Sequence, residues 1–173
     1  MPAAIFTGLP GTGKSTLARE LASRLDGHVL SKDEIRAAVF GPRFTAYTLE
    51  QDDLVQTWME AAAAELWARH PNLWVLFDGR TFSRQYQRAR LRDLCVKSKQ
   101  RYAFFHCTAS ESTVRERLQE PHPAANRDFA LYKEVEAKFE DVLERPCLEL
   151  STDQPMEKTL IWALAFLKSA AGT

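Results

Sequence analysis

Gly8-Leu9-Pro10-Gly11-Thr12-Gly13-Lys14-Ser15 spells GLPGTGKS, a complete G-x-x-x-x-G-K-[ST] phosphate-binding loop. Before it, Ala3-Ala4-Ile5-Phe6 is a short apolar run suited to a central strand. After it, Leu17, Leu21 and Leu25 recur at helical spacing. Strand, loop and helix is the arrangement in which this motif works. Glycines let the backbone turn where side chains would clash, so successive N–H groups point at phosphate oxygens. The helix opening at Gly13 adds its positive end. A nucleotide is therefore expected on Gly8, Pro10, Gly11, Thr12, Gly13, Lys14, Ser15 and Thr16, with Lys14 reaching the β- and γ-phosphates and the Ser15 hydroxyl holding Mg²⁺.

Outward from the loop, short apolar runs alternate with longer helical patterns. Strands are predicted at Ala3–Thr7, His28–Ser31, Leu73–Asp78, Arg101–Cys107 and Cys147–Leu150. Helices are predicted at Lys14–Leu25, Asp33–Phe40, Leu49–His70, Ser83–Ser98, Ser110–Glu120, Phe129–Leu143 and Pro155–Ala170. Apolar strands joined by helices imply a parallel sheet covered on both faces, with ligands bound beyond the carboxyl ends of its strands. In Leu49–His70, the row Leu54, Trp58, Ala62 and Leu66 reads as a packing stripe, and Trp58 and Trp67 as core or interface residues and not substrate stackers. Residues Gly41 to Thr48 read as a loop.

The chain has 173 residues, 45% of them hydrophobic and 27% charged, which suits one ordinary globular domain spanning 1–173. No apolar segment is long enough to cross a membrane. The phosphate loop occupies the place a leader would take, and Cys95, Cys107 and Cys147 are odd in number and widely spaced, so a cytoplasmic protein with reduced thiols is expected, Cys107 and Cys147 as small core residues of strand-like runs. No zinc spacing is present. Twenty-three Lys+Arg balance 23 Asp+Glu. That neutrality argues against a large nucleic-acid footprint and leaves room for a local basic pocket taking one strand end.

Discrimination among nucleotide-binding classes starts at Ser31-Lys32-Asp33-Glu34-Ile35-Arg36. Asp33 and Arg36, three apart, share a helical face at the mouth of the sheet. One reading has Asp33 take a proton from an acceptor hydroxyl while Arg36 fixes an anionic group on the acceptor or on the transferred phosphoryl. The other is a capped helix start built on Ser31. Asp78 ends an apolar strand, the usual place of a Mg²⁺ partner. Gly79 follows it where motor ATPases carry Glu, and no N-K-x-D guanine-reading motif occurs; Asn126-Arg127-Asp128 has a different spacing. Arg84, Arg88 and Arg92 share a face of the next predicted helix; either the face is solvated, or Arg84 and Arg88 hold an anionic substrate. Arg117 and Arg127 flank a proline-interrupted stretch suited to a mobile cover (117–129), from which an arginine can neutralise the transferred phosphoryl.

Together GLPGTGKSTLA, SKDEIR, LFDGRTFSRQYQR and the proline-broken segment reaching NRDFALY resemble the small P-loop kinases of the zeta-toxin and polynucleotide-kinase-like group, above all its stand-alone bacterial predicted kinases. The resemblance spans nearly the whole chain. It implies a three-layer α/β/α P-loop kinase fold with a five-stranded parallel sheet, in which the Asp78 strand lies beside the loop strand. It also implies Asp33 as general base, Arg36 against the acceptor phosphate, and Asp78, Arg84 and Arg88 as the Asp followed by spaced arginines of that group. The basic run that polynucleotide kinases carry in the cover is here EPHPAA. The resulting expectation is transfer of the ATP γ-phosphoryl, with Mg²⁺, to a hydroxyl acceptor. A small phosphorylated or sugar-like metabolite ranks first, a nucleic-acid 5′-hydroxyl end second and a nucleotide sugar third. A nucleotide-binding regulatory protein that hydrolyses ATP slowly, if at all, is the rival.

Overall fold

The computed structural model describes residues 3–120 and 128–171. Five strands form one parallel sheet: β1 (Ala3–Thr7), β2 (His28–Ser31), β3 (Val75–Asp78), β4 (Tyr102–Thr108) and β5 (Cys147–Ser151). Their spatial order is β2-β3-β1-β4-β5, so the loop-bearing strand is central and β3 is its neighbour, as expected. The helices are α1 (Lys14–Leu25), α2 (Lys32–Phe44), α3 (Leu49–Arg69), α4 (Gln85–Lys97), α5 (Glu111–Gln119), α6 (Phe129–Glu136) and α7 (Met156–Ala171).

Alternation along the strands feeds two separate cores. Ala4, Phe6 and Phe105 point to the face covered by α1 and α7, where they meet Leu17, Leu21, Leu160 and Leu167. Ala3, Ile5, Phe77 and Phe104 point to the opposite face and meet Val55, Met59 and Trp67 of α3 and Leu91 of α4. Each fully buried Phe or Leu contributes about 1.5–3 kcal/mol, enough in aggregate to fix the strand ends that carry the chemistry.

Several boundaries differ from expectation. In α3 the buried row is Val55, Met59, Ala63 and Trp67, one position on from the expected stripe, and Leu54 is 44% exposed. Two adjacent apolar rows run along this helix, and the sheet selects the one carrying Met59 and Trp67. Trp58 instead stacks on Phe40. α2 resumes after Gly41, whose φ of 59° and ψ of 179° break the helix, and ends at Phe44, so part of the expected loop is helical. α6 stops at Glu136, seven residues short of the expected Leu143. Beyond it Glu140, Asp141 and Glu144 are spent on α4: Glu140 N–H donates to the Ser83 carbonyl (2.9 Å), and Arg88 binds the Asp141 carbonyl and the Glu144 carboxylate. The three cysteines are free; Cys95 and Cys107 are buried and Cys147 half-buried. No helix among the described residues is long and apolar enough to cross a membrane.

Candidate active site

β2 and β3 pair in register with Ser31 opposite Asp78. This places the first turn of α2 beside the end of β3 and next to the loop that follows β1. The three strand ends border a cavity of about 340 Å³ walled by the phosphate loop, α2, Asp52 of α3 and the residues after β3. Leu131 and Val135 of α6 supply an apolar wall.

The loop itself has the geometry its glycines predict. Gly8 has φ 141°, and a Cβ there would lie 2.3 Å from the Cys107 carbonyl oxygen on β4. Only glycine fits so close an approach. Gly13, in the left-handed region, is the N-cap of α1, so the helix dipole opens onto the cavity. Pro10, Gly11, Gly13, Lys14, Ser15 and Thr16 line it; Gly8 and Thr12 lie behind as scaffolding, Thr12 Oγ1 donating to the Leu9 carbonyl (2.8 Å). Lys14 is buried, with Nζ 2.7 Å from the Leu9 carbonyl oxygen.

Ser15 Oγ donates to Asp78 Oδ1 at 3.1 Å. The second carboxylate oxygen, Oδ2, is buried with no hydrogen-bond partner among the described residues. Burial pushes the Asp78 carboxyl above its ordinary range, against the opposing hydrogen bonds from Ser15 and the Gly79 N–H. A hydroxyl, a carboxylate with an open oxygen and adjoining phosphate positions fit Mg²⁺, which uses one or two protein oxygens together with substrate phosphates. The described residues contain no group of three or more His, Cys, Asp or Glu arranged to hold a metal, so only that sparse mode fits. The structure also explains why Gly79 stands where a Glu was sought: a Cβ there would lie 2.8 Å from the Lys32 backbone nitrogen.

Asp33 and Arg36 both line the cavity. Ser31, not Asp33, caps α2, its hydroxyl accepting from Glu34 N–H (3.4 Å). Asp33 Oδ1 instead faces Arg36 NH1 at 3.4 Å. Arg36 is only 2% exposed, lies over the Tyr47 ring (5.2 Å) and pairs with Asp52. Burial lowers its proton affinity.

Two cations that the sequence reasoning passed over complete this wall. Lys32 is 8% exposed and pairs with Asp52 (3.1 Å) and Asp33 (3.6 Å). Arg80 is 3% exposed, donates to Gln56 Oε1 (2.8 Å) and pairs with Asp53 (2.7 Å). Arg80 follows Asp78 by two residues at the carboxyl end of β3, so the rule that singled out Asp33 at the end of β2 also applied to it.

The expected arginines of α4 do not face the cavity. Arg88 is fully buried, and its guanidinium is consumed by the Glu144 carboxylate (2.7 Å) and the carbonyls of Phe82 (2.8 Å) and Asp141 (2.6 Å). Arg84 precedes α4 and pairs with Glu140 (3.2 Å), and Arg92 pairs with Asp93. Arg84 and Arg88 are thus corrected from substrate contact to surface and structural pairing, and Arg92 keeps the surface reading. Arg117 rests on the back of the phosphate loop, donating to the Gly11 carbonyl (3.3 Å), to Thr152 Oγ1 (2.8 Å) and to the Thr152 carbonyl (2.9 Å). It does not line the cavity. Arg127 lies outside the described residues, as does most of the expected cover.

The model of a family described as AAA domain matches residues 4–146. No curated protein matches the chain. Among solved structures, a gluconokinase from Sinorhizobium meliloti 1021 superposes with a TM-score of 0.73 at 18% identity, covering 98% of this chain and 93% of that one. Chaetomium thermophilum Kti12, in complex with ADP-AlF3, gives 0.73 at 17% identity, covering 98% of each. The Mycobacterium tuberculosis APS kinase CysC, in complex with AMPPNP and APS, gives 0.71 at 16%, covering 96% of each. At these identities the likeness shows the fold, the three-layer α/β/α P-loop kinase architecture with its five-stranded parallel sheet.

Proposed function

This chain belongs to the AAA domain family, and we propose that within it the chain transfers the γ-phosphoryl of ATP to the hydroxyl of a small acceptor. The observation that carries the reading is that Asp33 lines the same cavity as the phosphate loop, beside Arg36 and not spent on capping its helix. A nucleotide switch has no use for a carboxylate facing an acceptor position. Within P-loop kinases we read the site as following the zeta-toxin and polynucleotide-kinase-like pattern, and we take 1–173 as one catalytic domain whose cover lies within 117–129.

The roles follow from residue chemistry. The loop N–H groups and Lys14 bind the triphosphate and hold the γ-phosphorus in line with the acceptor. Ser15 and Asp78 are the residues that would hold Mg²⁺, which when bound supplies charge neutralisation across the phosphate oxygens. Asp33 takes the proton from the acceptor hydroxyl as that oxygen bonds to the γ-phosphorus. The bond from the γ-phosphorus to the β–γ bridging oxygen breaks, leaving ADP, the phosphorylated acceptor and a proton on Asp33. Arg36 positions the base and opposes negative charge building beside it. Arg127 remains the candidate for a cover arginine.

The reading is tested by incubating the protein with γ-labelled ATP against a small-metabolite extract and, separately, a 5′-hydroxyl oligonucleotide, and identifying the labelled product by mass. Label in a small phosphomonoester is expected. Label in the oligonucleotide would shift the acceptor to a nucleic-acid end, and release of inorganic phosphate alone would favour a nucleotide-binding regulator.

A further inference from the structure

Lys32 at the start of α2, Arg36 one turn later and Arg80 after Gly79 line the same cavity as the phosphate loop and share a cluster of carboxylates, Asp33, Asp52 and Asp53. Each is at least nine-tenths buried. Burying three cations together is costly unless they are paired or have a task. Their standing partners are few: Lys32 and Arg36 share Asp52, and Arg80 is held by Asp53 and Gln56. The remaining carboxylate, Asp33, touches both Lys32 and Arg36. Arg36 Nε is buried with no hydrogen-bond partner among the described residues.

We infer that this wall is an anion subsite, so the acceptor carries its own negatively charged oxygen group close to the hydroxyl that is phosphorylated. The inference rests on the kinase reading and narrows it from any small hydroxyl compound to an anionic one. Two further points support it. Asp33 loses its charge when it takes the hydroxyl proton, leaving three cations against the two carboxylates of α3 just as the reaction proceeds; an anionic group on the acceptor makes good that deficit. The cluster also disfavours its own cations: burial, with Arg36 and Arg80 nearby, pulls Lys32 down to about 8 despite Asp33. The mixture of guanidinium forks with an ammonium fits carboxylate, phosphate or sulfate, which share planar or tetrahedral anionic oxygens able to take several donors at once. The anion is thus placed by Lys32, Arg36 and Arg80, and not by the arginines of α4.

The test measures binding, so that it does not depend on turnover. With the loop filled by Mg²⁺ and AMPPNP, the whole protein is titrated calorimetrically with matched probes: glycerol, glycerate and glycerol 3-phosphate, then ribose, ribonate and ribose 5-phosphate. The charged members should bind at least ten-fold tighter than their neutral twins, and the better of carboxylate and phosphate identifies the anion. Lys32→Met and Arg80→Met should abolish that preference while AMPPNP affinity is kept. Lys32→Arg, which keeps the charge, should retain it and guards against a merely unfolded variant. Charged members binding no better than neutral ones, or an undiminished preference in both Met variants, would overturn the inference. Preferential anion binding without transfer of label from ATP would leave the subsite standing and remove the kinase reading instead.

Discussion

The Asp33 carboxylate stands 3.4 Å from the Arg36 guanidinium, Oδ1 to NH1, one turn along the same helix. The helix end they occupy is capped by Ser31, so the carboxylate has no helix N–H to satisfy and is presented to the cavity. A cap and a base differ in what they require. A cap needs only an oxygen of the right reach; a base needs an oxygen that can keep a proton.

Replacing the loop lysine tests the nucleotide site by itself. Lys14→Ala removes a buried cation from the bottom of the phosphate cradle, and ATP binding measured by calorimetry with Mg²⁺ should become undetectable. Unchanged affinity together with unchanged turnover would contradict the assignment of the loop.

For the metal pair, Ser15→Ala and Asp78→Asn should each blunt the Mg²⁺ enhancement of nucleotide binding by roughly 10–100-fold, the range seen when groups around a metal are removed. Nucleotide affinity in chelator should change little. A Mg²⁺ titration of fluorescent nucleotide binding separates the two, and full Mg²⁺ enhancement in both variants would exclude the pair.

Arg88 acts on the fold. Arg88→Met leaves Glu144 buried without its partner, and breaking a buried pair on one side costs about 3–5 kcal/mol. Thermal denaturation should show a clear fall in Tm, while nucleotide affinity of the folded fraction is kept. A stable variant with weakened acceptor binding would restore the α4 arginines to the site.

The pH dependence follows from Lys32, whose pKa of about 8 lies below the ordinary lysine range. At pH 7 it is a cation facing Asp33 and Arg36 of α2, Asp52 of α3 and Arg80 after β3. As pH rises through 8 the charge is lost, so acceptor KM should rise while ATP affinity stays flat. Stability moves the other way: the unfolded chain holds this proton to higher pH than the folded one, so unfolding free energy from this group increases between about pH 8 and 10. Lys32→Arg should remove the step in KM. A step that persists in that variant belongs to another group.

The loop and the parallel sheet were legible because each rests on local signals, motif spacing, glycine placement and continuous apolar strands; the adjacency of β3 to β1 was expected only from the resemblance to P-loop kinases. Asp33 and Asp78 were legible by their position after a strand. The basic wall was not, since Lys32, Arg36, Arg80, Asp52 and Asp53 meet only once β2, β3 and α3 are assembled. Arg88 misled for the same reason. Helical spacing put it on a face with Arg84 and Arg92, but its partner Glu144 lies 56 residues away, just past a segment whose pattern read as helix. The one-position shift in α3 shows a further limit: two apolar rows on one helix are equivalent until the sheet chooses between them.

The most direct test of phosphoryl transfer through Asp33 is the rate at which Asp33→Asn moves label from ATP to the acceptor found in the extract. Asn keeps the shape and would cap a helix equally well, but it cannot take the hydroxyl proton. General-base catalysis contributes about 10²–10⁴-fold, so kcat should fall by that order with ATP affinity retained. A near wild-type kcat for Asp33→Asn would contradict the catalytic role and leave a nucleotide site alone.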